Sequence, residues 1–378
     1  MTKVLILVDK FRGSLTAREV SDAISLGLNS SVNGLEIVKI PLADGGEGTL
    51  EAVENDNTKR ILIECVDPLG RKLTVPVLET DDRILIEMAK STGLHLLSKE
   101  ERNPLYTSSY GLGLVIRRVA EMGCKNLLIG IGGSATNDGG TGMLEALGFR
   151  FIDREGRDVR IGEHIAGRDL SNIRAIDDSN VLPILRDINI EVACDVTNPL
   201  TGLKGASHIY APQKGAGYDE ILQLESAMLN YARVSAEYLG KDLSSAPGAG
   251  AAGGVGFALT AYCGATLKSG WRILFDFMDV EANISESDLV ITGEGRVDNQ
   301  SLSGKLVAGV GELCRKHGKP LWIICGDNLL TNKDIKKLGA LTVFAISYIE
   351  PDKELAIKNA KEYLEKISSE AATFLKNI

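Results

Sequence analysis

The sequence predicts an α/β protein: a parallel-sheet domain built from both chain ends, with a mixed α/β domain inserted between them. Three observations carry this. A short apolar strand, a polar loop and a helix recur as one unit near the start and again near the end of the chain, the pattern of a parallel sheet covered on both faces. Between these ends lie apolar runs joined by short turn-like gaps, the sign of antiparallel pairing. Glycine is abundant, 41 of 378 residues, or roughly 11% against a usual ~7%. It is also clustered, with eleven between Gly111 and Gly156 and seven between Gly248 and Gly270. With no Gly-X-Y period and few prolines, the excess means backbone turned tightly or brought close to something.

Each element follows from its residues. Val4–Val8 is a buried strand, and Asp9 to Ser14 is its loop. A helix starts at Thr16, with Glu19 three residues on as a capping box. Leu35–Ile40 is a second strand, ending in the polar loop Ala43-Asp44-Gly45-Gly46-Glu47-Gly48-Thr49. Arg60–Val66, Lys72–Leu78 and Ile84–Met88 read as strands, the first gap being the turn Pro68-Leu69-Gly70. A helix over Tyr110–Met122, a strand over Leu127–Ile131 and a helix over Met143–Leu147 come next, with Ile190–Cys194 a strand and Asp219–Leu239 a long helix. Asp288–Thr292 is a strand, its loop running Gly293 to Asp298 before a helix near Ser303. Pro320–Cys325 and Leu341–Ile346 are two more strands. Ile357, Ala360, Leu364, Ile367, Ala371 and Leu375 recur every three or four residues or nearly so, as one amphipathic closing helix. The simplest topology is a Rossmann-like domain over 1–65 and 271–378, with a mixed α/β domain over 66–270 and a ligand cleft between them.

Composition narrows the function. With 42 basic and 51 acidic residues the net charge is −9, and no basic stripe with interleaved aromatics offers itself to nucleic acid. Val4–Val8 is too short for a signal-peptide core, and no run approaches a membrane span. Six scattered cysteines and four scattered histidines argue against a disulfide framework or a zinc site. The expectation is a cytoplasmic protein acting on small molecules without nucleic-acid or membrane partners; a homodimer is allowed.

Open parallel sheets bind ligands beyond the carboxyl ends of their strands. Here those ends carry Asp9 and Lys10, Asp44 and Glu47, Glu294, Arg296 and Asp298, then Asp327. Carboxylates beside basic groups suit a Mg2+–phosphate site; as the alternative, each acid caps a helix or faces solvent. Gly130 to Gly140, through Gly132, Gly133, Ser134 and Asn137, follows a strand and precedes a helix, so its N–H groups can form an anion nest. Gly130-x-Gly132-x-x-Ala135 and Gly248-x-Gly250-x-x-Gly253 also match a dinucleotide fingerprint, which needs a strand before it and a helix at once after it. Gly304-Lys305 lacks the upstream glycine of a P-loop. Asp195 stands at a strand end, as general base, metal ligand or turn cap.

These residues fall into nine ordered blocks: FRGSL (11–15), ADGGEGT (43–49), DPLGR (67–71), Asn103–Leu105 with Tyr110-Gly111, GGSATNDGGTG (132–142), DVTNPL (195–200), PQKGA (212–216), PGAGAAGG (247–254) and DLVITGEGR (288–296). In them the chain resembles, over nearly its full length, the bacterial glycerate kinase family of the type with one α/β domain inserted in the other. The resemblance implies phosphorylation of a hydroxyl of D-glycerate with ATP and Mg2+, and leaves open which hydroxyl. On that reading Asp195 is the base, and Asp44, Glu47 and Asp298 hold Mg2+ or substrate. Lys10, Arg12, Arg296 and Lys305 neutralise anions, Lys10 and Arg296 in catalysis. Ser14, Ser134, Asn137 and the backbone from Gly132 to Gly140 bind substrate or phosphate. The chain departs from the family pattern at Lys10 and Arg12, where Ser and Lys are usual. It departs again at Leu306-Val307, where Thr-Pro is common. The competing expectations are an NAD(P)-dependent oxidoreductase of small hydroxy acids and a binding protein without turnover.

Overall fold

A computed structural model describes residues 1–42, 45–55, 58–80, 82–299, 301–302 and 306–377. Its strands are β1 (Thr2–Val8), β2 (Leu35–Lys39), β3 (Lys59–Val66), β4 (Lys72–Glu79), β5 (Ile84–Glu87), β6 (Asn126–Gly130), β7 (Arg150–Ile152) and β8 (Ala175–Asp177). They continue as β9 (Asn189–Ala193), β10 (Thr266–Lys268), β11 (Leu289–Gly293), β12 (Arg296–Val297), β13 (Leu321–Cys325), β14 (Asp327–Asn328) and β15 (Thr342–Ala345). The chain divides into two compact units. One is Met1–Asp44, Glu51–Val53 and Trp271–Ile378; the other is Gly45–Leu50 and Glu54–Gly270.

The first unit holds a five-stranded sheet in the order β15-β13-β11-β1-β2, parallel throughout. β1 and β11 are central, and Val4 to Val8 and Leu289 to Ile291 are fully buried, as apolar runs covered on both faces should be. The helix Ala17–Ser31 begins at Thr16, whose hydroxyl accepts from Glu19 N while the Glu19 carboxylate accepts from Thr16 N. Its apolar side, Val20, Ile24 and Leu28, shares a core with Leu364, Ile367 and Ala371 near the end of the chain. The closing helix is two helices, Lys353–Lys358 and Ala360–Ala372, divided at Asn359. Ile357 is exposed, so the apolar periodicity describes the segment from Ala360 alone.

The second unit holds a six-stranded sheet in the order β10-β9-β6-β5-β4-β3. β3 and β4 form the expected antiparallel hairpin, and β5 joins β4 antiparallel. From β5 the sheet turns parallel through β6, β9 and β10. β3 belongs to this sheet, although residues 59–65 had been expected in the terminal domain. The loop Gly45–Leu50 also belongs to this unit.

The short helix Thr141–Ala146 carries Glu145, whose side chain is 11% exposed. It accepts from Ile165 N at 3.0 Å and Arg160 Nη1 at 2.8 Å, yet burial pushes its carboxyl up to about 7. A carboxyl titrating higher folded than unfolded stabilises below its ordinary 4.5, and that stability is lost as pH rises to about 7. The urea midpoint of the wild type minus that of Glu145→Gln should therefore fall between those pH values. A flat difference would refute the shift.

Candidate functional site

In the first unit, three loops meet at the carboxyl ends of β1, β11 and β13. Asp9 N donates to Gly293 O at 2.9 Å, and Asp327 N donates to Gly295 O at 3.1 Å. β12 and β14 extend this as a parallel ladder pairing Arg296 with Asp327 and Val297 with Asn328. The guanidinium of Arg296 lies on Asp298, Nη2 to Oδ2 at 3.0 Å. Ser301 then ties the loop together, its hydroxyl donating to Glu294 Oε1 at 2.6 Å and accepting from Asp298 N at 3.1 Å. Lys10 N donates to the Asp9 carboxylate at 2.7 Å. Arg12 is exposed in a turn closed by Phe11 N donating to Leu15 O at 2.8 Å. Ser14 uses its hydroxyl on Ile357 O at 2.8 Å, tying the loop to the helix Lys353–Lys358.

The structure thus brings Lys10, Arg12, Arg296 and Asp298 into one unit. Glu47 belongs to the second unit, its Oε1 3.8 Å from His95 Nδ1. Of the four acidic loops expected on one edge, the described residues gather three. Asp44 and Lys305 lie outside the described residues. Leu306 and Val307 open the helix Leu306–His317 and are buried, so their apolar character serves packing.

In the second unit the parallel strands β5, β6 and β9 end side by side, Glu87 opposite Gly130 and Gly130 opposite Ala193. Asp195 follows two residues beyond β9. It is exposed, and its Oδ1 accepts from Ser269 Oγ at 2.7 Å and Gly270 N at 2.9 Å. The cap reading therefore describes one oxygen of this carboxylate. Glu87, at the end of an apolar strand, accepts from Gly48 N at 3.0 Å and Leu50 N at 2.9 Å, fixing the loop that carries Glu47. That loop presses on the glycine loop: a Cβ on Gly130 would lie 2.5 Å from Gly45 O, and one on Gly132 2.7 Å from Gly46 Cα. Glycine at 130 and 132 is therefore a packing requirement.

From Gly132 to Gly140 the backbone forms no helix, and the next one starts at Thr141. Gly133 O accepts from Leu94 N, and Ala135 N donates to Thr92 O. Asn137 Nδ2 donates to Ser207 Oγ at 3.1 Å, while Asn137 Oδ1 and Thr136 Oγ1 are buried with no hydrogen-bond partner among the described residues. Asp138, fully buried, accepts from Ser109 N and Ser109 Oγ at 2.7 Å each, from Gly140 N at 3.1 Å and from Gly142 N at 3.3 Å. Burial pushes its carboxyl up, and these donors pull it back. Beneath the loop sits Lys214, 1% exposed, donating to Ser134 Oγ and Thr136 O. Burial pushes its ammonium down to about 7, and Asp138 acts in the opposite direction.

Lys214 and Glu87 were not among the site residues chosen from the sequence. The signal for Lys214 was a lysine among small residues in PQKGA; for Glu87, an acid closing the apolar run Ile84-Leu85-Ile86. The dinucleotide reading fails on geometry. No helix follows Ala135 directly, and Gly248–Gly253 is preceded by turn, not strand. Among the described residues no helix is long and apolar enough to cross a membrane.

The comparisons with known proteins agree with one another. The pattern described as the glycerate kinase family matches residues 4–376. The chain is 38% identical to a glycerate kinase of Bacillus subtilis (strain 168), covering 99% of this chain and 98% of that one. It is 44% identical to a glycerate 2-kinase of Escherichia coli (strain K12), over 86% of this chain and 85% of the other. A crystal structure from Salmonella typhimurium LT2 bearing the name glycerate kinase 2 superposes with a TM-score of 0.86. It shares 40% identity and covers 100% of this chain and 98% of that one.

Proposed function

The chain belongs to the glycerate kinase family of phosphotransferases with an alcohol acceptor, and we propose that it transfers the γ-phosphoryl group of ATP to the 2-hydroxyl of D-glycerate with Mg2+. The name of the Escherichia coli relative, glycerate 2-kinase, supports the 2-hydroxyl. The observation that carries the reading is the placement of Asp195 and the glycine loop just beyond adjacent parallel strands, β9 and β6, of one mixed sheet. A base placed beside an anion nest is what phosphoryl transfer to an alcohol needs, since its catalysis rests on positioning and charge neutralisation.

In this reading Asp195 accepts the proton of the attacking hydroxyl. Gly132, Gly133, Ser134 and Asn137 cradle anionic oxygen, and Lys10, Arg12, Ser14, Arg296 and Lys305 offset charge on carboxylate or phosphate. Asp298 and Glu294, held through Ser301 in one loop, offer the oxygen donors Mg2+ prefers, as do Asp44 and Glu47. Mg2+ keeps several waters and needs only one or two carboxylates beside the phosphates; when bound it neutralises the charge of the transferring group. The setting is the cytoplasm. A homodimer is the assembly, supported by the exposed Tyr218, Leu222 and Leu229 along one side of the helix Tyr218–Leu239.

A coupled ADP-release assay with ATP and Mg2+ tests the reading on D-glycerate, L-glycerate, lactate and tartronate. D-Glycerate should turn over fastest, and phosphorus NMR of the product should show 2-phosphoglycerate. No turnover with any acceptor would sink the proposal.

A further inference from the structure

Lys214 is buried at 1% exposure and makes no ion pair among the described residues. Burying an ammonium costs heavily unless its donors are used. Its Nζ donates to Thr136 O at 2.6 Å and to Ser134 Oγ at 2.8 Å, both in the glycine loop. Asp138, the one carboxylate among the described residues that acts on it, is already engaged by Ser109, Gly140 and Gly142. The lysine is therefore committed to shaping residues 134–136.

An ammonium only donates. In that charged form, which prevails below about pH 7, Ser134 Oγ accepts from it, so the Ser134 O–H has to point to a different acceptor, and none is present among the described residues. Ser134 keeps 6% exposure, on backbone bridged to Gly93. Thr136 Oγ1, the next hydroxyl of the loop, is also buried without a hydrogen-bond partner among the described residues. Such a set is costly to leave unmet, which points to a ligand that completes it.

Resting on the kinase reading above, we infer that Lys214 is a positioning residue: it forces the Ser134 hydroxyl to act as a donor to an anionic oxygen of a substrate in the glycine loop. That oxygen is either the carboxylate of glycerate or a phosphate of ATP. The loop supplies neutral donors toward the ligand, and the buried charge behind them sets their direction.

The test is a kinetic cycle on the full chain with Ser134→Ala, Lys214→Met and the double variant. Ser134→Ala should raise KM about tenfold or more for one substrate, the size of losing a hydrogen bond to a charged group. A rise for glycerate assigns the carboxylate; a rise for ATP assigns the phosphate. Lys214→Met should raise the same KM, and the double variant should be no worse than the worse single one. Lys214→Gln, which keeps a donor, should recover part of the loss. Additive losses, or a Lys214→Met effect on both KM values alike, would mean that the lysine only supports the fold. If neither Lys214 variant folds, Ser134→Ala decides: unchanged KM values for both substrates overturn the inference. If the wild type shows no turnover, the kinase reading has failed separately. Calorimetry with inorganic phosphate, wild type against Ser134→Ala, then decides the anion role, and equal affinities reject it.

Discussion

Asp195→Asn is expected to fold as the wild type does and to lose about 10²–10⁴-fold in kcat, the usual loss on removing a general base. The structure explains why folding should survive. Oδ1 of Asp195 accepts from Ser269 Oγ and Gly270 N, and an asparagine oxygen can accept both. What the amide removes is the negative charge and the basic oxygen that the proposed mechanism requires of this residue. Thermal melting should shift little while ADP release collapses. Near-normal kcat with an unchanged melt would place the base elsewhere.

Gly293→Ala should have the largest effect on stability, about 3 kcal/mol or more by the measure of strong overpacking. Gly293 closes β11, and a Cβ there would lie 1.7 Å from Ile324 O and 2.8 Å from Ile324 C in the neighbouring strand β13. The obstacle is backbone, so no rotamer change relieves it. The same residue is opposite Val8 of β1, and its carbonyl accepts from Asp9 N. Forcing β11 and β13 apart would therefore disturb the loops that carry Lys10 and Arg296. A urea midpoint close to that of the wild type would show that the two strands separate at little cost.

The elements with strong local signals were legible. Val4–Val8, the Thr16 cap, the β3–β4 hairpin and the buried strands near Asp288 and Pro320 each carry their own pattern, and each is where its residues put it. β10, three residues long, has no such pattern and exists because β9 offers it an edge. The break at Asn359 was hidden because apolar spacing continues on either side of it. The glycine loop was legible as backbone under constraint, but not what it presses against: Gly45 and Gly46 reach Gly130 and Gly132 from some 85 positions away. Lys214 illustrates the same limit. A lysine in sequence reads as surface, and only the enclosing loop reveals a buried donor. The departures at Leu306 and Val307 became intelligible once both were seen as buried residues of a helix start.

The pairing of β1 with β11 has a consequence for synthesis. Lys3 and Asp288 are bonded across a separation of 285 residues, and β1 has a permanent neighbour on that side only after β11 has left the ribosome. At ~5–20 residues per second the wait is on the order of tens of seconds. Throughout it Val4 to Val8 stands as an apolar strand with one open edge, the kind of segment that aggregates when left uncovered. The six-stranded unit, complete by Gly270, can fold during that interval. A nascent chain stalled just beyond Gly270 is thus the form in which this protein most needs a chaperone.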